Sequence, residues 1–178
     1  MARTQDHIIA GTGSRKLQLA DPRVKLLVAN MVQNELRERN TLYTNKLVVM
    51  SGMAEGFDSL LARAAIGFGI PLWCVLPHKG YGNYYWGDRS VTGQNNMAEF
   101  SRILNKAQRV TYVMEDVYHS HGLHVNGRHA NHLRNDFMVA TADEFLVWDP
   151  TSRGTSSCLS SITLAGTPFK ILEVEEDR

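Results

Sequence analysis

The chain has 178 residues, 43% of them hydrophobic and 21% charged, a composition typical of one globular domain. Its formal net charge of +1 argues against a protein that coats nucleic acid by bulk electrostatics, because that mode needs a basic excess to displace counterions, although a local basic patch stays possible. The two cysteines, Cys74 and Cys158, form no CxxC pair, so neither a disulfide framework nor a zinc ribbon is expected.

Nothing in the sequence indicates targeting or a division into domains. The first residues are polar, and no apolar run approaches the roughly 20 residues that a membrane-spanning helix needs. We therefore expect a cytoplasmic protein with no membrane segment. No repeat or linker divides the chain, so a single domain is predicted over residues 1–178.

The predicted elements begin with a strand, a turn and a helix. The apolar run His7–Ala10 leads into the glycine-rich turn Gly11–Arg15, an arrangement that opens a Rossmann-like unit. A helix begins at Asp21 and Pro22, because Asp is a good N-cap and Pro fits the first helical position. Its predicted apolar stripe is formed by Val24, Leu27, Val28, Met31 and Val32.

The same order of strand, turn and helix then repeats. Leu47–Met50 is the second predicted strand, followed by the turn Ser51–Gly56 and a helix whose apolar face ends at Phe68. Pro71–Leu76 is the third strand. Residues 78–96 are rich in aromatics but show no periodicity, so a long loop is predicted there, of the kind that is often functional.

The second half of the chain continues this alternation. In order, the predicted segments are a helix Met97–Lys106, a strand Arg109–Val113, an irregular stretch 114–128, a helix at about 129–141, a strand Phe145–Trp148, a helix ending at Gly166 and a strand Phe169–Leu172. Such alternation predicts an α/β fold: one Rossmann-like, doubly wound, mostly parallel sheet with helices on both faces. Ligands of such sheets bind outside the carboxyl ends of the strands, where the strand order reverses.

Three polar turns at predicted strand ends share one design: Gly11–Arg15, Ser51–Gly56 and Gly154–Ser156. Glycines allow close approach to an anion, hydroxyls add donors, and the following helix offers free N–H groups. The alternative is that the glycines serve plain chain reversal. We predict a phosphate-bearing, nucleotide-derived ligand here. The predicted ligand-binding residues are Gly11, Thr12, Gly13, Ser14, Arg15, Ser51, Gly52, Met53, Gly56, Trp86, Arg134, Asn135, Gly154, Thr155 and Ser156.

Five short motifs, taken in order, carry a resemblance to a known family. They are Gly11–Arg15; Ser51–Asp58 with the helix Ala62–Ala65; Leu76-Pro77 before the loop that contains Trp86; Arg134–Met138 before Ala142-Asp143; and Asp149 followed by Gly154-Thr155. Over about residues 7–172 they resemble the SLOG superfamily, which includes the DprA/SMF proteins and the LOG phosphoribohydrolases, and most closely its YpsA-like branch.

The resemblance implies a Rossmann-like fold that binds nucleotides or nucleotide-derived ligands. It implies Gly11–Arg15, Ser51–Gly56, Arg134 and Gly154–Ser156 as the residues that face the ligand. It supplies no reaction, because the YpsA-like branch has no settled activity. Proteins of this superfamily often pair through helices, so a homo-oligomer is expected by analogy.

The spacing around Arg134 agrees with a role at the sheet edge. Leu133 and Phe137 are four residues apart and would face the core. Arg134 and Asn135 flank that stripe and could turn toward the edge of the sheet. The alternative is an arginine on a solvated helix face.

A hydrolase is an alternative rather than the main prediction. In the LOG group a glutamate that follows the Gly-Thr pair by three positions serves cleavage of an N-glycosidic bond, and here that position is Cys158. A carboxylate would stabilise the cationic sugar of such a reaction. The weak catalytic candidates are Asp58, Glu55 and Asp149, whose structural alternatives are a helix cap, a solvated loop acid and the start of a turn. Cys158 is expected to be buried and inert.

The histidines His119, His121, His124, His129 and His132 match no metal motif, so no metal and no cofactor are expected. They are predicted to line or cover the ligand pocket, which would make binding weaken as the pH rises through about 6.5. The aromatics Tyr84, Tyr85, Trp86 and Tyr118 would either stack on a base or pack the loop.

The main functional prediction is a binding module, meaning a sensor, carrier or sequestering protein for a nucleotide-derived small molecule. The first alternative is the N-glycosidic hydrolase. The second is a DprA-like binder of single-stranded DNA, which the near-neutral net charge disfavours although aromatics in a groove could stack bases. No membrane partner is expected.

Overall fold

The computed structural model describes residues 5–114 and 127–174, and within them six parallel strands form one sheet. They are β1 (His7–Gly13), β2 (Leu47–Ser51), β3 (Leu72–Leu76), β4 (Arg109–Tyr112), β5 (Glu144–Trp148) and β6 (Phe169–Leu172). Their spatial order is β4-β3-β2-β1-β5-β6, and every pairing is parallel. The chain builds outward from β1 to β4 and then returns to the other side of β1. The strand order therefore reverses between β1 and β5.

The described parts of the chain contain five α-helices: α1 (Pro22–Leu42), α2 (Phe57–Gly67), α3 (Met97–Lys106), α4 (Gly127–Thr141) and α5 (Arg153–Ala165). Successive residues of a strand point to opposite faces of the sheet. Ile9 of β1 joins the core cluster that contains Leu36 of α1, whereas Ala10 joins the cluster that contains Met138 of α4 and Ile162 of α5. Both faces are covered, which confirms the predicted doubly wound α/β fold.

Helix α1 begins where the sequence predicts. The Asp21 carboxylate accepts a hydrogen bond from the backbone N–H of Arg23 at 2.8 Å, and a proline occupies the first turn. One residue of the predicted stripe is wrong, because Leu27 is 46% exposed while Val28, Val32 and Leu36 are fully buried. Their spacing of four residues follows one face of the helix, and Leu27 lies beside that face.

Two predicted loops contain helical turns. Strand β1 runs through Gly13, and the next residues form a 3₁₀ helix, Arg15–Leu19, whose N-cap Ser14 accepts a hydrogen bond from the N–H of Lys16 at 3.1 Å. The predicted loop 78–96 holds a π-helical turn, Asn83–Asp88. Single turns of this kind are too short to leave a periodic sequence pattern, which is why the sequence did not reveal them.

Part of the predicted irregular stretch, with Tyr118, His119, His121 and His124, lies outside the described residues. Of the helices in the described segments, none is both long and apolar enough to cross a membrane.

Candidate functional site

The first two predicted turns pack directly against each other. A Cβ added at Gly13 would lie 2.4 Å from Cγ of Phe57, and Gly11 is similarly crowded by side chains of α2. Gly56 has a φ of +87°, and a Cβ there would lie 2.6 Å from the carbonyl oxygen of Ser14. The close approach of α2 to β1 therefore requires these glycines for packing. Their contact with an anion remains a prediction.

Internal hydrogen bonds hold the second turn in shape. Ser51 donates from its hydroxyl to the carbonyl of Asp58 at 2.9 Å and accepts from the N–H of Met53 at 3.1 Å. Met53 has a φ of +58°, and its carbonyl accepts a hydrogen bond from the indole N–H of Trp86 at 2.7 Å. The Trp86 ring is buried against Phe100. It therefore packs the loop in this structure and offers no exposed face for a base.

Arg134 extends from the middle of α4 to the second turn. Its Nη1 donates to the carbonyl of Gly52 at 2.6 Å, and its Nε donates to Oδ1 of Asn135 at 3.0 Å. The residue is 8% exposed, which excludes the alternative of a solvated helix face. The guanidinium also lies 5.7 Å from the ring centroid of Tyr81. Within residues 5–114 and 127–174 it forms no ion pair.

The third turn is the N-terminus of α5. The N-cap residue Ser152 donates from its hydroxyl to Oγ1 of buried Thr155 at 2.6 Å and makes no capping bond to the backbone. Helices leave their first N–H groups without intrahelical partners. Gly154 and Ser156 are exposed, and a Cβ added at Gly154 would meet no atom within 4 Å. This helix end therefore has open space beside it.

The three turns meet at the carboxyl edge where the strand order reverses. Gly13 of β1 pairs with Trp148 of β5, so the first and third turns leave the sheet side by side. Burial raises the pKa of the Cys158 thiol on α5, while Thr12 of β1 and the charge of Arg134 on α4 lower it, so these three elements approach one another here. The predicted residues thus share one edge of the sheet.

Two acids at this edge are buried. Asp58 lies in the first turn of α2 and is not its N-cap, because the N-cap residue is Gly56. Its carboxylate accepts a hydrogen bond at 3.3 Å from the backbone N–H of Ala54, which precedes the helix. Burial raises the pKa of Asp58 to about 6, although the charge of Arg134 and the bond from Ala54 lower it. Glu55 is 1% exposed and accepts from the N–H of Val91 at 3.0 Å, so the alternative of a solvated loop acid was wrong.

Asp149 has the turn-forming role that the sequence offered as its alternative. Its φ is +55°, its carbonyl accepts a hydrogen bond from the N–H of Ser152 at 3.2 Å, and its carboxylate accepts one from Thr151 at 2.9 Å. Aspartate tolerates this left-handed conformation better than most residues. The geometry accounts for Asp149 without a catalytic role.

The raised pKa of Asp58 predicts a pH-dependent stability difference. The folded state binds this proton more tightly than the unfolded chain, so the carboxylate costs stability as the pH rises from about 4 to 7. A shift from 3.8 to about 6 corresponds to a cost on the order of 3 kcal/mol above pH 6. We expect Asp58→Asn to gain stability relative to the unsubstituted protein by most of that amount, about 2 kcal/mol, between pH 4 and pH 7. Urea denaturation at both pH values measures it, and a constant difference would contradict the burial of this charge.

Arg15 holds the aromatic loop in this structure. Its Nη2 donates to the carbonyls of Tyr85 at 3.2 Å and Arg89 at 3.0 Å, and its guanidinium lies 5.2 Å from the Tyr85 ring centroid. The Tyr85 hydroxyl accepts a hydrogen bond from Asn131 at 3.1 Å. The predicted contact of Arg15 with phosphate remains a prediction.

Sequence reasoning missed Asn131 and Tyr81 at this edge. Asn131 precedes Arg134 by three residues on α4, a spacing that places both on one helix face and could have indicated the contact. Tyr81 is 2% exposed, and its position near Arg134 depends on the path of the loop, which no periodic pattern reveals.

The thiols and imidazoles of the described residues show no assembled reactive centre. Cys74 and Cys158 are unpaired and buried, and burial raises their pKa values to about 12 and about 11, which disfavours the reactive thiolate; the burial of Cys158 was expected. His129 and His132 are exposed on α4. Among the residues that the structure describes, no group of three or more His, Cys, Asp or Glu side chains could hold a metal ion.

Solved structures of DNA processing protein A share this fold. The Helicobacter pylori protein, described for its single-stranded DNA binding mode, superposes with a TM-score of 0.59 at 18% identity, over 96% of this chain and 67% of that one. The Streptococcus pneumoniae protein gives 0.62 at 15% identity, over 96% and 51%, so this chain spans about half its length. The sequence matches no protein-family model and no curated protein. At such identities the likeness establishes the Rossmann-like fold alone.

Proposed function

We propose that the chain binds the phosphate of a nucleotide or nucleotide-derived molecule at the carboxyl edge between β1 and β5. The observation that carries the proposal is the buried guanidinium of Arg134, which forms no ion pair within the described segments. A buried charge is costly unless an opposite charge compensates it. Asp58 lies beyond ion-pair distance, although the two charges interact. A phosphate would supply the missing partner and can accept two hydrogen bonds from the guanidinium.

The N-terminus of α5 supplies the second anion-binding group. Its free N–H groups and the positive end of its dipole favour a phosphate. The open space at Gly154 admits a phosphate beside the helix. The charge of Arg134 acts on the thiol of Cys158 in the same helix, so the guanidinium lies near α5. Arginine and helix N-terminus together form a combination suited to an anionic ligand.

Single-stranded DNA is the second candidate, and the fold supports it. The Helicobacter pylori neighbour is described for its single-stranded DNA binding mode. Near the proposed site, Arg89 and Arg153 are exposed cations and Tyr84 is 47% exposed, so a strand could find phosphate and stacking partners. The net charge of +1 and the burial of Trp86 favour a small ligand over a strand.

Hydrolysis of an N-glycosidic bond has less support. Cys158 occupies the position of the LOG glutamate and is a buried thiol whose pKa is raised to about 11. Asp58 and Glu55 are buried acids, and Asp58 could donate a proton near neutral pH. A reaction would require one of them to reach the sugar.

We further propose a family branch, an oligomeric state and a cellular compartment. The order of the motifs favours the YpsA-like branch of the SLOG superfamily, and the DprA neighbours agree with that superfamily's fold. A homo-oligomer is proposed by analogy with the superfamily. The cytoplasm is proposed because both cysteines are unpaired, as is usual in a reducing compartment.

A thermal-shift panel tests the proposal and separates its alternatives. The panel holds inorganic phosphate, AMP, NAD, ADP-ribose, a cyclic nucleotide and an oligothymidylate. A ligand at about 100 times its Kd stabilises the fold by about 2.7 kcal/mol, which raises the Tm of a domain of this size by about 5–10 °C. A shift with mononucleotides supports the small ligand, and a shift with the oligonucleotide alone supports the DNA candidate. Free base released on incubation with the same nucleotides would indicate a hydrolase. No thermal shift with any compound of the panel would contradict the proposal.

Substitution Gly154→Asp should separate binding from stability. A carboxylate in the first turn of α5 stabilises the helix dipole by about 0.3–1 kcal/mol, and it repels a phosphate at the same place. We expect an unchanged or higher Tm with an affinity for AMP that falls about tenfold or more, equivalent to about 1.4 kcal/mol. Calorimetric titration measures the affinity. Gly154→Asn is the uncharged control, and equal affinities in the two variants would remove the α5 N-terminus from the site.

A further inference from the structure

A groove of about 640 Å³ opens between the outer surfaces of α1 and α2. It shares no residue with the proposed phosphate site. Its apolar lining includes Leu26 of α1 and Leu60, Ala64 and Phe68 at or beside α2. Leu26 is 63% exposed and Phe68 is 36% exposed. Large apolar side chains that are exposed side by side in a groove commonly mark a site of interaction.

The groove is also positively charged. Lys25, Arg37 and Arg63 line it, and its lining, drawn wholly from residues 25–68, includes no acidic residue. The guanidinium of Arg37 lies 5.6 Å from the Phe68 ring centroid, so the charge lies next to the apolar surface. Arg63 lies 3.6 Å from Glu99, a carboxylate that also binds Arg102. One carboxylate shared between two arginines leaves the groove with an excess of positive charge.

We propose that this α1–α2 groove binds an acidic amphipathic helix of a partner protein. Two neighbouring helices leave a channel into which apolar side chains spaced three and four residues apart can insert, a common mode of helix recognition. The volume of about 640 Å³ lies in the range of specific pockets and accommodates a few such side chains. Glutamates on the flanks of that helix would face Lys25, Arg37 and Arg63, and such complementarity sets specificity and association rate.

Charge argues against a second copy of this chain as the occupant. A two-fold interface places the same surface patch on both subunits. The lining of each copy carries Lys25, Arg37 and Arg63 and no acidic residue, so two copies would bring cationic surfaces together with no opposite charge in the groove to compensate them. An acidic partner meets no such repulsion.

Fluorescence anisotropy with a labelled synthetic helix tests the proposal. The probe carries leucines at positions i, i+4 and i+7 with glutamates on both flanks, and the comparison peptide carries lysines in place of the glutamates. We expect the acidic peptide to bind the full chain at low salt and the lysine peptide to bind at least tenfold more weakly. Equal binding of the two peptides, or binding of neither, would overturn the proposal.

Two variants localise the binding to the groove. The double variant Lys25→Glu/Arg37→Glu reverses the charge of the groove, and Leu26→Asp removes an apolar anchor. Each should weaken binding of the acidic peptide at least tenfold. The matched control is Lys46→Glu/Lys106→Glu, which makes a similar charge change at exposed positions away from the groove. An equal loss in the control would overturn the proposal. A dimer in light scattering that Leu26→Asp dissociates would also overturn it, by assigning the groove to a second copy.

Discussion

Replacing Arg134 with alanine is expected to weaken the binding of AMP and of inorganic phosphate by about 10- to 150-fold. The lost contact is a hydrogen bond to a charged group, worth about 1.5–3 kcal/mol. Arg134→Lys should lose part of this affinity. Its ammonium keeps the positive charge, but it lacks the planar guanidinium whose several N–H groups can bond the Gly52 carbonyl and a phosphate together. Calorimetric titration of the three proteins measures the series.

The stability of these variants must be separated from their affinity. Arg134→Ala leaves the carbonyl of Gly52 without this donor and removes the cation that lowers the pKa of Asp58. A double variant, Arg134→Ala/Asp58→Asn, removes the uncompensated carboxylate and should recover stability without recovering phosphate binding. Arg102→Ala, at an exposed position on α3, is the matched control and should bind normally. Undiminished affinity in folded Arg134→Ala would rule out the proposed site.

Much of the fold could be predicted because its elements leave local signals. A parallel strand that is covered on both faces reads as a continuous apolar run, as Leu47–Met50 does within β2. The start of α1 follows from Asp21 and Pro22, whose capping chemistry depends only on neighbouring residues. The meeting of the three turns follows from topology, because parallel strands end at the same edge of their sheet.

The role of each residue at that edge could not be predicted in the same way. A glycine that admits a phosphate and a glycine that admits Phe57 look alike in a sequence, and only the distances at Gly13 separate them. Glu55 and Trp86 lie in segments without periodicity, so their burial depends on how the loop folds over α2 and α3. Local sequence patterns predict helices and strands. The burial of Glu55 and Trp86 depends instead on contacts between residues that lie far apart in the chain.

Gly56→Ala is expected to destabilise the fold by about 4 kcal/mol. A side chain at a φ of +87° is strained by about 1–3 kcal/mol, and an overpacked Cβ adds a similar cost. The added carbon would lie 2.6 Å from the carbonyl oxygen of Ser14 and 2.8 Å from that of Arg15. The Ser14 carbonyl cannot retreat freely, because it accepts hydrogen bonds from the N–H groups of Leu17 and Phe57 at 3.4 Å each. Urea denaturation measures the loss.

Gly67→Ala is the matched control, because a Cβ there meets no atom within 4 Å. Alanine in place of glycine in a helix stabilises by up to about 1 kcal/mol, so this variant should be neutral or slightly more stable. A cost below about 1 kcal/mol for Gly56→Ala would show that α2 can move away from β1. Packing would then no longer account for the glycine. If the same variant also lost affinity for AMP, the second turn would have to face the ligand, as the sequence predicts.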